Sequence, residues 1–92
     1  MKIVWTNSAI RDNAKNINFL FEIWDLLVVL AYEKKVIKTE ELLLKNPHLG
    51  MYDKHLKHYK ILVVSQIYMM YEIIDKNIYI LKMFNNHQNP LY

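Results

Sequence analysis

With a single glycine and two prolines in 92 residues, this chain has few places to turn tightly. Glycine supplies left-handed backbone and proline breaks regular structure, so their scarcity calls for long elements and leaves no flexible linker between domains. Residues 1–92 are expected to form one domain with one modest core. Hydrophobic residues at 53% and charged residues at 23% suit a folded chain rather than a disordered one. There is no cysteine, which removes disulfides, thiolate metal sites and a catalytic thiol, and fits a reducing compartment. The longest apolar run, Leu26 to Tyr32, falls far short of the ~18 residues of a membrane span. The opening MKIVWTNSAIR lacks the apolar stretch of a secretory signal. A cytoplasmic protein with no membrane partner is the expectation.

Periodicity supplies the elements. Lys2 to Thr6 alternates around β-branched and aromatic residues and predicts a short strand, after which Thr6 caps a helix. Ile10, Ala14, Ile17, Phe21 and Trp24 recur at helical spacing, predicting a helix from Ser8 to about Ile23 with one apolar stripe. Asp25 is an N-cap for a second helix reaching about Lys45 and ended by Asn46-Pro47. On a helical wheel Leu26, Val29, Leu30, Val36, Ile37, Leu43 and Leu44 form a core-facing arc, while Val28, Ala31 and Tyr32 point the other way. Either the first helix or a partner chain covers that second face.

A loop is predicted from Pro47 to about Lys57. Strands follow at His58 to Val64 and Ile67 to Ile74, a hairpin turn at Asp75-Lys76-Asn77, and a last strand at Ile78 to Phe84, ahead of a polar tail from Asn85 to Tyr92. The order β-α-α-β-β-β predicts an α+β domain, a helical hairpin packed on a mostly antiparallel four-stranded sheet.

Four short pieces, in order, give this pattern a likeness. They are IVWTNSAIRD at the start, ELLLKNPHLG at 41–50, YKILVVSQIYMMYEI through the third and fourth segments, and NNHQNP at 85–90. Together they resemble the RelE/ParE superfamily of toxins from bacterial type II toxin–antitoxin modules, of the plasmid-stabilisation type. The pieces match that family's strand-Trp-cap-"A-x-x-D" opening, its "L-x-x-N-P-x-L-G", its "L-V-V-x-x-Y-[RK]-I-x-Y" and its "R-Q-N-P" ending. Two departures stand out. Tyr68 occupies a position where many members carry Arg or Lys, and His87 stands where they carry Arg, so that Arg11 is the chain's sole arginine. The resemblance implies a toxin held inactive by a cognate antitoxin, acting on mRNA at the ribosome as an endoribonuclease or, as in the ParE branch, on DNA gyrase without catalysis. A homologue that has lost nuclease activity is the remaining option.

Cutting RNA through its own 2′-hydroxyl requires a base, an acid and fixed positive charge for the transition state. Arginine suits the last role best, so this chain must use lysine and histidine. Lys54, His55, Lys57, His58 and Lys60 form a basic run, with Lys60 on one strand face with His58 and Leu62. The expected catalytic residues are His87 for proton transfer, Lys60 on the phosphate and Tyr68, with nucleic-acid binding by Lys54, Lys57, His58 and Tyr92. A run of lysines that only keeps the surface solvated is the plain alternative. Val28, Ala31 and Tyr32 are the candidate antitoxin contacts. His55 and His58 make at most half a zinc site, so neither metal nor cofactor is expected.

Overall fold

The computed structural model describes residues 1–86. Strand β1 (Ile3–Trp5) leads into helix α1 (Asn7–Ile23) and helix α2 (Leu26–Lys45). Strands β2 (Met51–Asp53), β3 (His58–Val64), β4 (Ile67–Ile74) and β5 (Asn77–Asn85) complete the order. The sheet is mixed and five-stranded, β1-β5-β4-β3-β2, with β1 parallel to β5 and every other pairing antiparallel. The expected four-stranded sheet is therefore corrected: β2 lies within the segment predicted to be a loop. Asp53 makes this strand possible. Its Oδ1 accepts from the backbone N–H groups of His55 (2.8 Å) and Leu56 (3.0 Å), and its carbonyl accepts from Lys57 N–H at 2.8 Å. The resulting turn, closed by Lys57 at φ 58°, folds Met51–Asp53 back onto β3. Three residues carry too little alternation to show as a strand in sequence.

Both helix caps form as expected. Thr6 Oγ1 accepts from Ala9 N–H at 3.2 Å, and Asp25 Oδ1 accepts from Val28 N–H at 3.1 Å. The faces differ from the expectation. Helix α1 buries Ala9, Asn16 and Leu20, whereas Ile10, Phe21 and Trp24 are exposed. Helix α2 buries Val29, Tyr32, Val36, Thr39 and Leu43, whereas Leu26, Leu30, Ile37 and Leu44 are exposed. The polar residues decide the phase, because they meet donors and acceptors that apolar groups would leave unpaired. Asn16 Nδ2 donates to the Met83 carbonyl at 2.9 Å, and Asp12 Oδ2 accepts from Met83 N–H at 3.1 Å. Strand β1 pairs β5 only as far as Ile80, so α1 side chains satisfy the strand edge beyond it. Thr6 Oγ1 also donates to Ile80 O at 2.8 Å. The opening sequence motif thus fastens the first helix to the last strand.

Two other motifs meet in the same way. Tyr71 on β4 is fully buried, and its hydroxyl donates to Pro47 O (2.8 Å) while accepting from Gly50 N–H (2.9 Å). Burial is the main reason its phenol pKa is raised. Pro47 and Gly50 are the fixed points of the NPHLG segment, and Tyr71 closes the segment after it. The core lies between the helices and one sheet face, centred on Leu20, Tyr32, Leu43, Ile67, Met69, Ile78, Ile80 and Met83. Among the described residues no helix covers the other sheet face.

Candidate nucleic-acid interface

Strand register assembles the uncovered sheet face. Met51, Lys60, Met70 and Lys82 are successive partners across β2, β3, β4 and β5, and beside that row Leu62, Tyr68 and Phe84 are partners across β3, β4 and β5. The Nζ of Lys60 sits 5.7 Å from the centre of the Tyr68 ring, a cation–π contact between two residues singled out from sequence. An open cavity of about 340 Å³ adjoins them, lined by Met51, Tyr52, Asp53, Lys54, His55 and Lys60. Lys54 and Lys60, 6 positions apart in the chain, therefore share one cavity because the β2–β3 turn doubles back. His55 joins them there.

Charge around the cavity has two signs. The Asp53 carboxyl is held below the ordinary carboxylate range, chiefly by the Leu56 backbone N–H, so it stays ionised and occupied by the turn. Two lysines and one histidine face it. The outcome is a site that attracts an anion through its lysines while Asp53 limits how closely that anion approaches the turn.

The remaining predicted site residues divide. Lys57 is exposed and held in left-handed backbone at the turn, and it does not line the cavity. His58 is half-buried with its Nε2 enclosed and without a hydrogen-bond partner, so in this conformation that nitrogen offers nothing to a bound strand. His87 and Tyr92 lie outside the described residues.

Lys82 is a residue that sequence reading missed. Plain alternation from Ile78 and Ile80 turns Lys82 inward, but Leu81 is an extra residue between the Tyr71↔Ile80 and Met70↔Lys82 pairs. That bulge reverses the phase, burying Met83 and exposing Lys82. His55 had a readable signal, since it lies within the basic run, but its place in the cavity depends on the turn.

A solved structure described as the chromosomal ParDE TA system from P. aeruginosa matches this arrangement with a TM-score of 0.76. The match covers 92% of this chain and 95% of that one, at 14% sequence identity. The chain has the RelE/ParE fold. No protein-family profile matches the sequence, and no curated protein does. Within the RelE/ParE fold the candidate antitoxin contacts lie away from the basic cavity. A groove of about 370 Å³ runs between Leu20, Trp24, Val28, Ala31 and Tyr32 of the helices and the β3–β4 turn at Val64, Ser65 and Gln66. Val28 is half-buried there and Ala31 is exposed. For Tyr32 the cover is the first helix, one of the two alternatives for that face: the side chain is 2% exposed, and its hydroxyl donates to Asn13 Oδ1 of α1 at 2.6 Å. Burial pushes its phenol pKa up to about 12. Among the described residues no helix is long and apolar enough to cross a membrane.

Proposed function

We propose that this chain is the toxin of a type II toxin–antitoxin module and that it cleaves ribosome-bound mRNA on its uncovered sheet face. The observation that carries the reading is the joining of Lys54, Lys60 and His55 around one cavity beside Tyr68, on a RelE/ParE fold. The lysines hold the scissile phosphate and offset the charge that builds on it. The 2′-oxygen attacks phosphorus and loses its proton to a base, while the departing 5′-oxygen takes a proton from an acid, leaving a cyclic phosphate. An imidazole can both accept and donate a proton, so His55 fits one of these roles, with His87 the sequence-based candidate for the other. Tyr68 and Phe84, cross-strand partners on that face, are the rings against which a base would stack. The apolar groove bordered by Val28 and Ala31 takes a segment of the cognate antitoxin.

Primer extension on a translated message after induction tests the activity. Discrete stops within codons are expected, and Lys54→Gln with Lys60→Gln should abolish them. In direct binding to single-stranded RNA, each lysine lost should reduce the salt-dependence slope by about 0.7. Cuts that persist in the double variant would refute the assigned roles.

A second reading, non-catalytic inhibition of DNA gyrase or a toxin that has lost nuclease activity, draws on one observation. The sole arginine, Arg11, lies on α1, so the uncovered sheet face has no permanent guanidinium for a phosphate. Intact messages together with gyrase-linked DNA breaks would favour the gyrase form of that reading, and intact messages without breaks or growth arrest would favour lost activity.

A further inference from the structure

The tip of the α1–α2 hairpin is more apolar than the surface of a solitary protein needs to be. Phe21, Ile23, Trp24, Leu26, Leu27 and Leu30 fall within ten residues, and their exposures are 58, 54, 63, 56, 74 and 46%. At roughly 100 Å² apiece they expose about 600 Å² of largely apolar surface, the top of the range for the largest patch on a monomer. Two such tips in contact would cover about 1,200 Å², which reaches the size of a specific, stable protein interface.

Charge narrows the choice of occupant. From Asn16 to Glu33 the chain has no lysine or arginine, although its net charge is +3. Glu22, Asp25 and Glu33 are the ionised groups of that stretch, and Asp25 is already engaged as the α2 cap. Nucleic acid, an anionic lipid surface and an acidic peptide would each meet like charge there. A second copy brings the same apolar patch and, beside it, only two carboxylates not engaged as a cap, Glu22 and Glu33, so of these candidates it presents the least like charge.

We propose that the hairpin tip is a two-fold self-association surface, with Leu27 and Leu30 of one copy packed against the same residues of the other. A two-fold contact uses one patch twice, so a single apolar tip is sufficient. Glu22 is exposed and stays at the solvated rim. Leu27 and Leu30 do not line the apolar groove beside α2, so their replacement leaves that groove as it is.

Sedimentation equilibrium of the full chain from about 1 to 300 μM tests this. The expected result is a concentration-dependent shift from 11.2 kDa to twice that mass. Leu27→Glu should raise the dimer dissociation constant at least about tenfold. Leu56→Glu, at another well-exposed leucine in the β2–β3 turn, should leave it unchanged. Because the chain has no cysteine, Leu27→Cys offers one thiol per copy and should give a disulfide-linked dimer in oxidising buffer, whereas Leu56→Cys should not. That pair decides the matter if Leu27→Glu fails to fold. A monomer throughout the range, a dimer unaffected by Leu27→Glu, equal cross-linking of the two cysteine variants, or open-ended aggregation would each overturn the proposal.

Discussion

Replacing Gly50 with alanine should destabilise this protein, although a glycine-to-alanine change at a compatible position usually stabilises by ~0.4–1 kcal/mol. A Cβ at residue 50 would stand 2.7 Å from the Tyr71 hydroxyl, 2.9 Å from the Lys60 carbonyl and 3.0 Å from Tyr71 Cε1. None of these neighbours yields cheaply. The Lys60 carbonyl belongs to β3, paired on both sides by β2 and β4, and the Tyr71 ring is fully buried and stacked on Tyr59 at 5.1 Å. Overpacking of this kind costs ~1–3 kcal/mol. Displacing the loop also strains the bond from Gly50 N–H to Tyr71, a further ~1 kcal/mol. After the unfolded-state gain is subtracted, the net loss is about 1–3 kcal/mol, or a Tm lowered by roughly 5–20 °C in a chain of this size. Urea unfolding followed by circular dichroism measures the change, and the m-value should stay constant. Tyr71→Phe removes one of the clashing atoms, so in a double-mutant cycle it should recover part of the Gly50→Ala loss while the Lys60 contact keeps the rest. A Gly50→Ala variant as stable as the parent, or more so, would refute the reasoning.

Asn16→Ala should cost about 1–3 kcal/mol in urea unfolding, since it leaves the Met83 carbonyl at the β5 edge without the α1 side chain that bonds it. Alkaline stability should depend on Tyr32. Its pKa in the fold, about 12, lies above the unfolded value near 10, so its contribution is whole below pH ~10 and is lost as pH rises toward 12. Tyr32→Phe should therefore flatten the fall in stability between pH 10 and 12, measured by chemical denaturation against pH. Lys76→Gly in the β4–β5 turn, where residues 75 and 76 both have positive φ, should raise stability by about 1 kcal/mol, read as a higher Tm.

Much of the fold was legible because local rules acted alone at the points that mattered. The Thr6 and Asp25 caps, the stop at Asn46-Pro47 and the Asp75-Lys76-Asn77 turn each work through a few neighbouring residues, and both helices and the three longer strands begin and end close to where these signals put them. Three of the four motifs were readable for a related reason: Thr6, Asp12, Gly50 and Tyr71 hold helix to strand and loop to sheet, contacts that restrict which residue is acceptable, while most of the fourth, NNHQNP, lies outside the described residues. The helix faces were not readable from hydrophobicity. Ile10, Phe21, Leu30 and Ile37 make a better apolar stripe than Ala9, Asn16, Thr39 and Leu43, yet the latter are buried.

The sequence alone determined where elements start and stop, since caps, turns and proline act over three or four residues. Only the tertiary structure decided which way those elements face. Asn16 turns inward because β5 offers an unpaired carbonyl, Lys82 turns outward because Leu81 is an extra residue in its strand, and Lys54 reaches Lys60 because Asp53 folds three residues back onto the sheet. Each depends on a partner distant in the chain or on one inserted residue, and neither leaves a periodic trace in the sequence.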